Sequence, residues 1–157
     1  MVFPFSWSGH VLIPGALHRV PDPTAAAIAV EGALDAERPK SISRIGTVIE
    51  FRAGILRFVT NTNVLGPITS GHVQVQSDLS GLRILYTIRF TEVLFFSLLV
   101  NAAYAFAATS REGAPTSAVG WAIILMPVIW LFGGNVAITL YRFPRLLRRA
   151  AGAASAV

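Results

Sequence analysis

The sequence contains no cysteine. Disulfides, thiolate metal centres, iron–sulfur clusters and cysteine nucleophiles are excluded at once. Charge is also scarce: Asp, Glu, Lys and Arg make up 13% of the residues, against about 25% in average soluble domains. Histidine is confined to His10, His18 and His72. His10 and His18 stand in a proline-rich arm at a spacing that suits no metal. The long apolar stretches hold no histidine, so they offer no imidazole to a haem. A Gly-x-Ser-x-Gly elbow and a glycine-rich phosphate loop are both missing. From these absences we expect no catalytic residue, no metal, no cofactor and no enzymatic activity. The first residues, Met1-Val2-Phe3-Pro4-Phe5, lack the basic start of a secretory signal, and Pro4 and Pro14 interrupt them.

What the chain does have is grease in its second half. Residues 90–108 and 119–141 are each close to the roughly 20 apolar residues that a helix needs to cross a hydrocarbon core of about 30 Å. Soluble core helices of that length carry a strong polar face; these do not. Basic residues near the outer ends of the two stretches are Arg83, Arg89, Arg142, Arg145, Arg148 and Arg149, whereas the short link holds Arg111 alone. The positive-inside rule therefore places both termini in the cytoplasm. The net charge of +5 points to an anionic membrane surface rather than to nucleic acid, because the arginines flank the apolar stretches.

Upstream, residues 1–21 read as an extended arm with a short strand near 10–13. Asp22-Pro23-Thr24 offers a helix start, since Asp or Thr can cap free N–H groups and proline suits the first turn. A helix follows over 25–37, ended by Pro39. Period-two alternation then predicts half-buried antiparallel strands over 43–52, 55–60, 72–77 and 82–90, with turns at 53–54 and 78–81 and a loop over 61–71. The expected organisation is an arm (1–21), a cytosolic α+β domain (22–89), a transmembrane hairpin (90–141) and a basic cytosolic tail (142–157) that frays after residue 150. The fold class is α+β: a small antiparallel-sheet domain followed by a two-helix transmembrane hairpin.

Within the hairpin, depth at about 1.5 Å per residue puts Ser97 level with Asn135, beside Gly133 and Gly134. Small residues permit close approach and an amide in lipid seeks a partner, so the helices are expected to pack tightest there. Asn101 lies deeper, near the midplane, and Pro127 is expected to kink the second helix. Glu92 sits at the cytoplasmic edge, three residues after Arg89, a spacing at which the two can pair on a helix. Arg142, Arg145, Arg148 and Arg149 have helical spacing, hold the helix end inside and can meet anionic lipid, with Phe143, Leu146 and Leu147 dipping into the interface.

Several phrases resemble a family of small, uncharacterised bacterial membrane proteins with an N-terminal cytosolic domain and two transmembrane helices. They are Ile49-Glu50-Phe51-Arg52, Asn63-Val64-Leu65-Gly66-Pro67-Ile68, Gly71-His72-Val73-Gln74-Val75, Tyr86-Thr87-Ile88-Arg89-Phe90, and Trp130-Leu131-Phe132-Gly133-Gly134-Asn135 with Arg142-Phe143. The resemblance covers about residues 45–145 and implies the same architecture in the inner membrane of a bacterium, but no activity. The expected role is an accessory or interaction subunit that binds membrane lipids and either copies of itself or a larger complex, since so small a sheet buries little core alone. The alternatives are an oligomeric transport component lined by Asn101, Asn135 and Glu92, and a lipid-modifying enzyme at the cytoplasmic face.

Overall fold

The alternating stretches form one antiparallel sheet, and its apolar side is covered by two helices that come from opposite ends of the chain. The computed structural model describes residues 5–14, 22–54, 63–78, 81–112, 115 and 117–155. The elements are β1 (Ser6–Pro14), α1 (Pro23–Ala36), β2 (Ser41–Ile45), β3 (Val48–Arg52), β4 (Ser70–Asp78), β5 (Gly81–Arg89), α2 (Thr91–Glu112), α3 (Ala118–Val128), a π-helical stretch (Ile129–Gly134) and α4 (Asn135–Ser155). The strand order is β1-β5-β4-β3-β2. The expected strand over 55–60 lies outside the described residues, as do positions 79–80 of the expected turn.

Within the N-terminal arm, Ser6–Pro14 form a strand at the edge of the sheet among the described residues. β1 pairs with β5 along its whole length, from Ser6 opposite Arg89 to Pro14 opposite Gly81. Backbone N–H of Phe90 donates to Phe5 O at 3.0 Å and fastens the start of this strand. The stretch 43–52 is two strands rather than one. Ile45 pairs with Val48 across Gly46-Thr47, and Gly46 has φ +61°, at the loop position where a II′ hairpin turn puts glycine. Ile45, expected on the same face as Ile49 and Phe51, is therefore turned outward and 85% exposed.

Helix α1 begins as its residues dictate. The Asp22 carboxylate accepts from the Thr24 N–H at 2.8 Å, and Pro23 occupies the first turn. Ala26, Ala27, Val30 and Leu34 form its buried stripe, and the helix lies across β2, β3 and β4. Glu31 pairs with Arg44 of β2. Past the helix, the Glu37 carboxylate accepts from Val64 N–H at 3.0 Å, and Asn63 donates to Glu37 O at 3.1 Å. Those bonds seat the loop over residues 63–69, which plugs the core with Leu65 and Ile68.

The last layer comes from the segment expected to be a frayed, lipid-facing tail. Phe143, Leu147 and Ala151 of α4 recur every four residues and are fully buried in the same core as α1 and the strands. α4 lies along α1 and against β1. The Phe143 ring stands 5.4 Å from Tyr86 in an edge-on contact and 6.1 Å from Phe51. Both of those aromatics fold over glycines directly opposite them in the sheet, Tyr86 over Gly9 and Phe51 over Gly71. Phe143 thus fills a socket that exists because two strand positions carry no side chain.

Burial pushes the Tyr86 phenol above its ordinary value of 10.0, and a hydrogen bond from the Trp7 indole opposes part of that shift. The folded chain holds this proton more tightly than the unfolded chain. The resulting stability is full below about pH 10 and is lost as pH climbs through the folded-state value. Above that pH the thermal midpoint should fall more steeply for the wild type than for Tyr86→Phe; equal slopes would count against a desolvated phenol.

Candidate functional site

The two helices that leave the sheet, over Thr91–Ser110 and Val119–Ala154, are long and apolar enough to cross a membrane. Only 6% and 11% of their most apolar windows are buried within the chain, so those windows are not the covered part of a core. Phe95, Leu99, Phe106, Val119, Met126 and Trp130 are all more than 60% exposed. α2 starts directly after β5, and its first free N–H groups are met from the sheet domain: Thr69 Oγ1 accepts from Glu92 N–H at 2.9 Å. α4 carries the other end of the hairpin back into the same domain.

Ser97, predicted to mark the tightest packing, is fully buried, but its hydroxyl donates to Val93 O of its own helix at 2.7 Å. Gly133 and Gly134 are not at a close approach. A Cβ built on either meets no atom within 4 Å, so the expected small-residue contact is absent. Those glycines belong to the π-helical stretch that follows Pro127. Proline removes a backbone donor, and the helix recovers its α-helical bonding only at Asn135. There the backbone N–H of Asn135 bonds Phe132 O, and its side-chain amide donates to Leu131 O. Asn135 is therefore a local repair of irregular backbone and not a bridge to α2. It also lines a small cleft of about 50 Å³ with Asn63, Pro67, Thr139 and Arg142, which places it at the junction with the sheet domain. Asn101 has a buried side-chain oxygen without a hydrogen-bond partner among the described residues.

The charged set is equally dispersed. Arg89 ends β5, and α2 begins only at Thr91, so helical spacing does not bring Arg89 and Glu92 together. No ion pair joins them among the described residues. Arg142, Arg145, Arg148 and Arg149 form the exposed side of α4, opposite Phe143 and Leu147. Arg145 stacks on the Tyr141 ring, 3.7 Å from its centroid, which spreads its charge over an aromatic face.

The second face of the sheet is uncovered among the described residues. It presents cross-strand rows of polar groups, including Ser8, Thr87, His72, Glu50 and Ser43 in one row. Ser8 and Thr87 hydroxyls bond at 2.8 Å, and His72 Nδ1 stands 3.5 Å from the Glu50 carboxylate. No group of three His, Asp or Glu side chains suited to a metal occurs among the described residues. Comparison with protein-family models, with curated proteins and with solved structures gives no match. What stands of the resemblance is therefore its architecture: a small antiparallel-sheet domain followed by two apolar helices.

The arginines that flank the apolar stretches stand out in the sequence; Arg52 does not. Only the sheet register places Arg52 on one row with Arg89, separated by Ser70. Alternation in 43–52 already put Arg52 on a polar side; nothing local pointed to its neighbour.

Proposed function

We propose that this is an integral membrane protein of the bacterial inner membrane, with both termini in the cytoplasm, and that it serves as a non-enzymatic interaction subunit of a membrane complex. The observation that carries this reading is the path of the second apolar helix. It runs from the exposed hairpin through α4 into the core of the sheet domain, where Phe143, Leu147 and Ala151 are buried. A domain bolted to both ends of a hairpin cannot swing on a tether. It holds its uncovered polar face in a fixed attitude at the bilayer surface, which suits docking more than turnover. The arginines Arg83, Arg89, Arg142, Arg145, Arg148 and Arg149 on the domain side, against Arg111 in the link, support the orientation.

A chain without cysteine is ready for single-cysteine labelling. In intact cells, Glu112→Cys should react with a membrane-impermeant maleimide and Arg149→Cys should react only after lysis; the reverse pattern rejects the orientation. A photo-crosslinker at Gln74, on the uncovered face, should give one discrete adduct with a second protein in the membrane fraction. Adducts with lipid alone would reject the interaction role.

A further inference from the structure

The sheet register sets five residues in a line across the uncovered face, at the end from which α2 departs: Ser6, Arg89, Ser70, Arg52 and Ser41. Arg89 and Arg52 are each one strand away from Ser70. With strands about 4.8 Å apart, their backbones stand roughly 10 Å from one another, so the two long side chains can close over the serine from either side. A groove of about 260 Å³ lies there, bounded by Ser41, Ser43, Glu50, Arg52, Ser70 and Arg89.

The strand arginines differ in a telling way. Arg44 is paired with Glu31, and Arg83 with Asp78 at 3.3 Å. The side chains of Arg52 and Arg89 have no ion-pair or hydrogen-bond partner among the described residues, and they flank Ser70 on the same row. Two like charges at that separation repel; an anion between them relieves the repulsion. Glu50, the one acid bounding the groove, has His72 Nδ1 3.5 Å from its carboxylate. The groove is smaller than the 300–1,000 Å³ of common ligand pockets, which fits a compact anion and not a nucleotide-sized cofactor. Guanidinium forks match phosphate oxygens in bidentate fashion, and the serine hydroxyls supply further donors.

We propose that Arg52 and Arg89, with Ser70 between them, form a binding site for a phosphate group. Arg89 is followed at once by Phe90 and α2, so the phosphate of a lipid headgroup and that of a small soluble phosphate both have access. The lipid source rests on the membrane reading above; the soluble source does not.

The test uses the full chain purified in neutral detergent and two probes. Inorganic phosphate is titrated by calorimetry, and retained phosphatidylglycerol is counted by native mass spectrometry at rising lipid-to-protein ratios. The double variant R52Q/R89Q is expected to weaken at least one probe tenfold or more, and the probe affected identifies the source. R148Q/R149Q, which removes the same charge from the far side of α4, is expected to leave the inorganic phosphate titration unchanged. Ser70→Val keeps both guanidiniums and should also weaken binding, and it decides the matter if the double variant does not fold. Unchanged binding in R52Q/R89Q, or in S70V where that variant is the test, overturns the site. An equal loss of inorganic phosphate binding in R148Q/R149Q overturns it too, since binding then follows net charge. The phosphate titration needs no bilayer, so a failed site and a failed membrane reading give different results: the latter appears as a chain that stays in solution without detergent.

Discussion

Replacing Phe143 by alanine should lower the thermal midpoint of the sheet domain by more than about 10 °C. The ring is fully buried and touches Tyr86 and Phe51. Removing it loses the transfer energy of the ring and leaves a cavity, together about 3–5 kcal/mol. The cavity is slow to collapse, because its floor is made by aromatics already lying flat on Gly9 and Gly71. In a domain of this size each kcal/mol moves the midpoint by about 4–8 °C. The measurement is unfolding in detergent followed by Trp7 fluorescence, in a background where Trp121 and Trp130 are phenylalanine. Were Phe143 an interfacial anchor, as its place among arginines suggests, the substitution would alter lipid association and leave the Trp7 transition where it was. A midpoint within about 2 °C of the parent would therefore remove α4 from the core.

Gly71→Val should be nearly as damaging, for the opposite reason. A Cβ at position 71 overlaps the Phe51 ring. That ring cannot lift away, because Phe143 sits above it and its own residue is 2% exposed. Overpacking of this kind costs about 1–3 kcal/mol, and valine's branched side chain drives it toward the upper figure despite its liking for strands. Gly32 supplies a control of opposite sign. It stands inside α1 with nothing within 4 Å of a built Cβ, so Gly32→Ala should stabilise the helix by up to about 1 kcal/mol. Equal midpoints for Gly71→Val and the parent would mean that Phe51 does not rest on this glycine.

These two substitutions also show where the sequence is legible and where it is not. β4 and β5 are plain in the chain because Val73, Val75, Ile84, Tyr86 and Ile88 alternate with residues that, Leu85 apart, are polar, and both strands are covered on one side only. β1 is obscured because its inward positions include Gly9, whose missing side chain is replaced by a ring from the neighbouring strand. The turn at Gly46-Thr47 hides for a different reason: a two-residue hairpin keeps the run of alternating residues intact on paper while reversing which face Ile45 occupies. In α4 the four-residue spacing of Phe143, Leu147 and Ala151 can be read locally, but its destination cannot. Arginines between those positions signal a helix end at a membrane, and only the folded sheet reveals an apolar surface waiting for them. The same limit applies to the site. Arg89 stands out by its place before an apolar run, whereas Arg52 joins it through β4, a relation that pairing register alone creates.

The layered core has a consequence for biosynthesis. The ribosome makes the five strands and α1 first, and α1 can cover β2, β3 and β4, yet the greasy side near β1 stays bare until residues 143–151 emerge, after the entire hairpin has been translated. In a bilayer, those residues reach the sheet only if the hairpin has crossed twice. A nascent chain that threads once delivers its final helix to the wrong compartment and leaves the strands without a lid. On the membrane reading proposed above, correct threading and completion of the fold are one event, and a quality-control protease that senses bare apolar strands would at the same time be reading out topology.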